Sequence, residues 1–131
     1  MKVDRVLVDG VASGEVLVLD APLSIWGGVD TETGRIVDAT HPQSGESLAG
    51  KIVVLPYGRG SSSSSSVLAE MLRIGTGPAG LILEEPDSIL VIGVLVAGRL
   101  YGTRCPIVVA SSTPPDGGVW RITGDELESA H

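Results

Sequence analysis

The chain has 131 residues, of which 43% are hydrophobic but only 3% aromatic, and its net charge is −7. This length suits one domain, 1–131, with a core built from Val, Leu, Ile and Ala. The acidic balance disfavours nucleic-acid binding, which relies on clustered Lys and Arg, and docking to anionic membranes. We therefore expect no nucleic-acid partner and no membrane partner.

A single cysteine, Cys105, limits the metal chemistry of the chain. It cannot form an internal disulfide, and alone it cannot hold zinc or an iron–sulfur cluster. No charged region followed by an apolar one opens the chain, so a secretory signal is not expected. The longest apolar run, Ile89–Ala97, is too short to span a bilayer. We expect a cytoplasmic protein that binds no metal itself.

The first half of the chain contains runs of β-branched and apolar residues that predict strands. These strands are predicted at Val3–Val8, Glu15–Leu19 and Lys51–Leu55. The intervening segment Ala21–His41 is predicted to be irregular, with a turn at Thr33-Gly34 and a short strand at Arg35–Val37.

One helix is predicted after the serine run Ser61–Ser66. Apolar residues recur at about one helical turn from Val67 to Ile74, which gives the helix one apolar face. Gly75, Gly77 and Pro78 follow in the order that ends helices.

The second half of the chain again predicts strands, followed by a polar, acidic tail at Asp125–His131. The strands are predicted at Gly80–Leu83, Ile89–Val96, Pro106–Ala110 and Val119–Ile122. Strands thus dominate, with one helix inserted early. This order predicts an α/β domain with a mixed, barrel-like sheet and few helices.

The junction from Leu55 to Ser62 carries the strongest chemical signal. A buried strand ends, Gly58 and Gly60 allow a sharp turn, and a helix begins on serine. Free N–H groups and the positive dipole end at a helix start bind anions. Arg59 adds a charge that pairs with carboxylate or phosphate. The junction therefore predicts a site for a small anion.

Two alternatives apply to the same junction. A serine run is often a flexible linker, but here it lies between a buried strand and an amphipathic helix, with no second domain to connect. No Lys follows the glycines, so a nucleotide-binding Walker A loop is disfavoured.

A second candidate segment begins at Trp26-Gly27-Gly28 and continues through Asp30 and Asp38 to His41. Adjacent glycines suggest backbone that lies close to another group. The three polar side chains could be catalytic or bind a metal. On spacing alone we favour turn-forming roles for the two aspartates and a surface position for His41. We likewise interpret Arg99 and Arg104, around the turn Leu100-Tyr101-Gly102, as solvated charges.

Both segments resemble a known family. Gly58-Arg59-Gly60-Ser61-Ser62 resembles the Gly-x-Gly-Ser-Ser loop of the aconitase swivelling domain. The longer string resembles the small subunit of aconitase X proteins over about residues 14–110. That string combines Trp26-Gly27-Gly28-Val29-Asp30, Thr33-Gly34, Asp38, His41-Pro42, the serine loop and Glu84-Glu85-Pro86-Asp87.

The resemblance implies a swivelling β/β/α fold and a hydro-lyase that is active only as a heterodimer. Its large aconitase X-type subunit would hold a [4Fe-4S] cluster, whose iron takes the departing hydroxyl. Ser61 would abstract the proton next to a carboxylate, with Ser62 as its neighbour and the next candidate. Substrate-binding residues carried over by the resemblance are Gly27, Gly28, Asp30, Gly58, Arg59, Gly60 and Ser62.

The sequence departs from aconitase after Ser62, where Ser63 replaces a substrate-binding Arg, so citrate is disfavoured. Separate small subunits in the family resemble those of archaeal phosphomevalonate dehydratase. They imply dehydration of (R)-5-phosphomevalonate to trans-anhydromevalonate 5-phosphate in the mevalonate pathway of isoprenoid synthesis. The alternatives are another aconitase X dehydratase, such as one acting on hydroxyproline, and a non-catalytic anion-binding module.

Overall fold

The computed structural model describes residues 1–57 and 62–130. These residues form one curled sheet with helices on one side. The elements are β1 (Arg5–Val8), β2 (Val11–Val18), α1 (Ile25–Gly28), β3 (Ile52–Leu55), α2 (Ser63–Ile74), β4 (Gly80–Leu83), α3 (Ser88–Tyr101), β5 (Ile107–Val109), β6 (Val119–Thr123) and β7 (Glu126–Ser129).

The sheet is mixed, with strand order β1-β5-β4-β3-β2-β6-β7. Strands β2, β3, β4 and β5 run parallel to one another, whereas the pairs β1–β5, β2–β6 and β6–β7 are antiparallel. The two ends of the sheet meet where Lys2 bridges Glu126 and the Val3 N–H donates to the Asp125 carbonyl over 2.9 Å. This closure confirms the predicted barrel-like α/β fold.

Two apolar layers hold the sheet, because successive side chains of a strand point to opposite faces. Ile52, Val54 and Ile82 face the interior of the curled sheet, together with Ile122 of β6. Their neighbours Val53, Leu55, Leu81 and Leu83 face Leu68, Met71 and Leu90 of the helices. Strands covered on both faces explain the continuous apolar runs of β3 and β4.

Helix α2 confirms the predicted early helix and ends at Gly75, whose φ is +89°. The backbone N–H of Gly75 donates to the Met71 carbonyl, as expected for a left-handed C-cap.

The predicted strand Ile89–Val96 is wrong, because these residues lie inside helix α3. Asp87 caps this helix: its Oδ1 accepts hydrogen bonds from the N–H groups of Ile89, at 2.9 Å, and Leu90, at 3.1 Å. The periodicity of a continuous apolar run does not distinguish a strand from a helix. The signals that indicate a helix here are the Asp87 cap and the length of the run. The predicted turn at Leu100-Tyr101-Gly102 is the end of this helix, and Arg99 lies in its last turn.

The predicted polar tail also forms a strand, β7, which pairs with β6. Gly124 has a φ of +59° in the short connection between the two strands. Leu127 is buried between two acidic residues, Glu126 and Glu128, whose alternation is the sequence signal of a half-buried strand. No helix in the described part of the chain is long and apolar enough to cross a membrane.

Candidate functional site

The candidate site lies where β3 ends and α2 begins, at the carboxyl edge of the parallel strands. The predicted residues Gly58, Arg59, Gly60 and Ser61 lie outside the described residues. The flanking residues are described: Tyr57 is 45% exposed, and Ser62 is also exposed. The anion site predicted at this junction stays a prediction.

The first turn of α2 is built by serine backbone and hydroxyl groups. The Ser62 carbonyl accepts hydrogen bonds from the Ser65 N–H, at 3.1 Å, and the Ser65 hydroxyl, at 2.8 Å. The Ser62 hydroxyl makes no capping bond to the helix. Ser62 is therefore an exposed hydroxyl at the start of a helix.

The end of β4 lies beside the end of β3. The Glu84 N–H donates to the carbonyls of Leu55, at 3.3 Å, and Pro56, at 3.2 Å. Both Glu84 and Glu85 are exposed. Two carboxylates thus lie next to the strand that leads into the serine loop.

The second predicted segment contacts the first turn of α2. The Trp26 N–H donates to the Ser64 hydroxyl oxygen over 3.0 Å, and Ser64 is only 3% exposed. The Ser24 hydroxyl donates to the Trp26 carbonyl over 2.7 Å. Gly27 has a φ of +82°, a conformation that favours glycine. The structure therefore places the glycine segment against the helix that follows the predicted junction.

Gly28 continues this segment into the core. It is buried, an added Cβ would lie 3.3 Å from the Leu23 side chain, and its carbonyl accepts a hydrogen bond from Val37 over 2.9 Å. The substrate-binding roles of Gly27 and Gly28 stay predictions.

Sequence reasoning missed Ser64, whose burial is hidden inside a run of six serines. Ser64→Ala is expected to lower the free energy of unfolding by about 1 kcal/mol, since the Trp26 N–H loses its acceptor. Chemical denaturation measures this change. Ser66→Ala is the matched control, because Ser66 is an exposed serine of the same helix. Equal stability of the two variants would contradict a fastening role for Ser64.

Asp30 and Asp38 both act in turns, as we favoured. The Asp30 carboxylate accepts from the Glu32 N–H at 3.3 Å and from the Thr33 hydroxyl at 2.8 Å. Asp38 Oδ1 accepts from the N–H of Thr40 at 3.0 Å and its hydroxyl at 2.6 Å. The predicted role of Asp30 in substrate binding stays a prediction.

The surface position predicted for His41 is wrong, because this side chain is only 6% exposed. Its Nδ1 accepts the Gln43 N–H at 3.0 Å, and its Nε2 lies 3.0 Å from the Ala21 carbonyl oxygen. The pair of bonds requires the tautomer with the proton on Nε2. His41 therefore fastens two loops, a role that its place before Pro42 did not indicate.

The described residues do not fit an iron–sulfur cluster. Cys105 is 1% exposed, and burial raises the pKa of its thiol to about 12, which disfavours the thiolate that a cluster needs. Within residues 1–57 and 62–130, no group of three or more His, Cys, Asp or Glu side chains could hold a metal ion.

A groove of about 590 Å³ lies between the end of β2 and two loops. Its lining includes the carboxylates Asp20, Glu46 and Asp116. None of the predicted site residues lines it, and its acidic character disfavours an anion.

Comparison with known proteins places the whole described fold in one family. The family model described as the aconitase X swivel domain matches residues 2–126. The crystal structure of Thermococcus kodakaraensis aconitase X in its holo form superposes with a TM-score of 0.85. That match has 34% sequence identity and covers 97% of this chain and 95% of that chain.

Two kinds of named relative are similar in sequence. The cis-3-hydroxy-L-proline dehydratase of Pseudomonas aeruginosa is 48% identical over 105 residues, which are 80% of this chain but 18% of the relative. The phosphomevalonate dehydratase small subunit of Pyrococcus furiosus is 44% identical over 94 residues, 72% of this chain and 70% of that subunit. These matches confirm the resemblance predicted from the two segments.

Proposed function

Because the chain belongs to the aconitase X swivel-domain family, we propose that it is the small subunit of a two-chain hydro-lyase acting in the cytoplasm. The observation that carries this proposal is the contact between Trp26 and Ser64, over 3.0 Å. It joins the glycine segment to the helix that follows the serine loop, which supports the proposal that both family motifs border one site.

In this proposal Ser61 removes a proton from the carbon next to a substrate carboxylate. A hydroxyl is a weak base, and its alkoxide needs nearby positive charge. The start of α2 and Arg59 provide that charge. Ser62, the next residue in the sequence after Ser61, is exposed and is the next candidate for the base.

The cluster of this enzyme belongs to the large subunit, since this chain has one cysteine, Cys105, and it is buried. When bound there, a [4Fe-4S] cluster supplies an iron that accepts a departing hydroxyl. In this proposal the present chain removes the proton and binds the substrate anion.

The first candidate substrate is (R)-5-phosphomevalonate, with trans-anhydromevalonate 5-phosphate as product. Its support is the similarity to phosphomevalonate dehydratase small subunits, at 44% identity in Pyrococcus furiosus and 47% in Methanopyrus kandleri. In each case the match covers about two thirds or more of both chains.

The second candidate substrate is cis-3-hydroxy-L-proline. It is supported by 48% identity to the Pseudomonas aeruginosa dehydratase and 45% to that of Hypocrea jecorina. The exposed Glu84 and Glu85 add a physical argument. Carboxylates beside the site favour a cationic imino nitrogen and disfavour a phosphate.

The experiment that separates the two substrates is a dehydration assay of this chain reconstituted with its large subunit. Turnover of either substrate by the complex supports the hydro-lyase, and their kcat/KM values assign the substrate. A complex that binds both compounds but dehydrates neither would favour the non-catalytic anion-binding module.

Arg59→Lys is expected to raise KM for the accepted substrate several-fold, a loss of about 1–2 kcal/mol, because lysine lacks the bidentate guanidinium fork. The assay is steady-state kinetics of the reconstituted enzyme. Arg73→Lys is the control, since Arg73 pairs with Glu70 within α2 over 2.6 Å. An unchanged KM with Arg59→Lys would assign Arg59 to the solvated surface.

A further inference from the structure

Helix α3 carries an exposed apolar stripe, which we define as Ile92, Leu95, Val96 and Leu100. These side chains are between 42% and 64% exposed. Their spacing of three, four and eight residues places them along one side of the helix. The opposite side is buried through Leu90, Gly93, Val94 and Ala97.

A helix that is apolar on all sides is normally buried on all sides. In α3 the first charged residue after Ser88 is Arg99, so the exposed side lacks the polar residues that a solvated helix carries. The same feature produced the wrong strand prediction for Ile89–Val96. The sequence of α3 is therefore that of a buried element, while the isolated domain covers only half of it.

The charges around the stripe differ from those of the rest of the chain. The chain has a net charge of −7, yet no Asp or Glu occurs between Ser88 and Arg104. The charged residues there are Arg99 and Arg104, both exposed, and neither forms an ion pair with another described residue. The surface that fits this stripe is apolar at its centre and carries carboxylates at its rim.

A shallow groove beside the stripe extends this surface. It has a volume of about 340 Å³ and lies between α3 and the end of β1. Leu95 and Arg99 line one side, and Val8 and the exposed Asp9 line the other. Thr103 also lines it, and its hydroxyl is the one buried side-chain polar atom without a hydrogen bond in the described part of the chain.

The stripe begins at the same end of the domain as the candidate site. An added Cβ on Gly93 would lie 2.7 Å from the Ser65 carbonyl oxygen, so this turn of α3 packs on the first turn of α2. Ile92 directly precedes Gly93 in α3. A partner that covers the stripe from Ile92 onwards therefore also lies near the first turn of α2.

We propose that this stripe is the docking surface for the large, cluster-bearing chain, an inference that rests on the proposed function. The relatives support this occupant, because the region matching this chain is 18% of each of two cis-3-hydroxy-L-proline dehydratases. In those proteins the domain is covalently joined to a much larger remainder. The occupant is thus a surface of that remainder, with acidic residues facing Arg99 and Arg104.

The test introduces a charge at the stripe and measures binding to the large aconitase X-type chain of the same genome. Leu100→Glu and Ile92→Glu are each expected to weaken the Kd at least tenfold, because each buries an unpaired charge at an apolar contact. Val11→Glu is the matched control: Val11 is 62% exposed and Leu100 is 64% exposed, but Val11 lies on β2. Circular dichroism and thermal unfolding check that each variant folds.

The outcomes separate this inference from the proposed function. Failure of the unaltered chain to bind the large chain would overturn both. Binding of the unaltered chain together with an unchanged Kd for both stripe variants would overturn the docking surface alone. Sedimentation of the isolated chain as a dimer that Leu100→Glu dissociates, with no effect on the large chain, would assign the stripe to a second copy instead.

Discussion

Ser61→Ala is expected to lower the turnover of the reconstituted enzyme by about 10²–10⁴-fold, the usual effect of losing general acid–base catalysis. The fold and the assembly with the large subunit should persist, because Ser61 precedes α2 and its first turn is fastened by Ser64 and Ser65. The measurements are initial rates of dehydration and the exchange of the abstracted proton with deuterated solvent.

The choice of control decides how this result is interpreted. Ser66→Ala is the suitable comparison, because Ser66 is exposed, whereas Ser64 is buried and binds Trp26. If Ser61 only caps the helix, its loss costs about 1 kcal/mol of stability and little activity. Near-normal exchange in Ser61→Ala would remove Ser61 from the role of base and move the test to Ser62.

Gly93→Ala is expected to destabilise the domain by about 1–2 kcal/mol, because its Cβ would overpack the contact between the two long helices. That Cβ would lie 2.7 Å from the Ser65 carbonyl oxygen and 3.2 Å from the Ser65 Cα. Backbone atoms cannot rotate away as a flexible side chain does. The clash therefore outweighs the gain of up to about 1 kcal/mol that alanine gives over glycine in a helix.

Gly98→Ala is the matched control, since it makes the same change in the same helix. Its Cβ would lie 3.3 Å from the Thr103 carbonyl oxygen, in the loop after α3, which tolerates a small shift better than packed helices. Thermal and chemical unfolding should show Gly93→Ala less stable than Gly98→Ala by at least about 1 kcal/mol. Equal stabilities would mean that the two helices separate without cost. Reduced activity in a folded Gly93→Ala complex would further show that this contact positions the start of α2.

The sequence predicted those elements whose signals are local. Helix α2 has one apolar face and ends at Gly75, and β3 and β4 are short apolar runs between turn residues. Helix α3 was assigned to the wrong class because both of its sides are apolar, so the 3.6-residue period is absent. The Asp87 cap was the remaining local signal, and it lies before an apolar run that also suits a strand.

The strands that meet where the sheet closes could not be predicted from local pattern. Leu127 is 1% exposed and belongs to the same apolar layer as Val16 and Ile122, beside the bridge between Lys2 and Glu126. Non-local pairing of this kind leaves no periodic trace in a segment of four residues. The alternation across Glu126, Leu127 and Glu128 was the available signal, and the acidic character of the tail concealed it.

For the candidate site, residue types identified the segments, but not how they are fastened. The glycines and serines indicate backbone that could surround an anion, and the contact between Trp26 and Ser64 joins the glycine segment to helix α2. The burial of His41 and Ser64 depends on loops distant in sequence, such as those around Ala21 and Trp26. Neither residue differs in sequence pattern from an exposed one.

The central claim is that this chain supplies the base of a dehydratase whose cluster is held by another chain. It is tested most directly by assaying three samples for dehydration of (R)-5-phosphomevalonate and cis-3-hydroxy-L-proline: this chain alone, the large chain alone, and both together. The predicted result is that each chain alone is inactive, that this chain alone is colourless, and that the mixture turns over one substrate. Full activity of either chain by itself would contradict the claim.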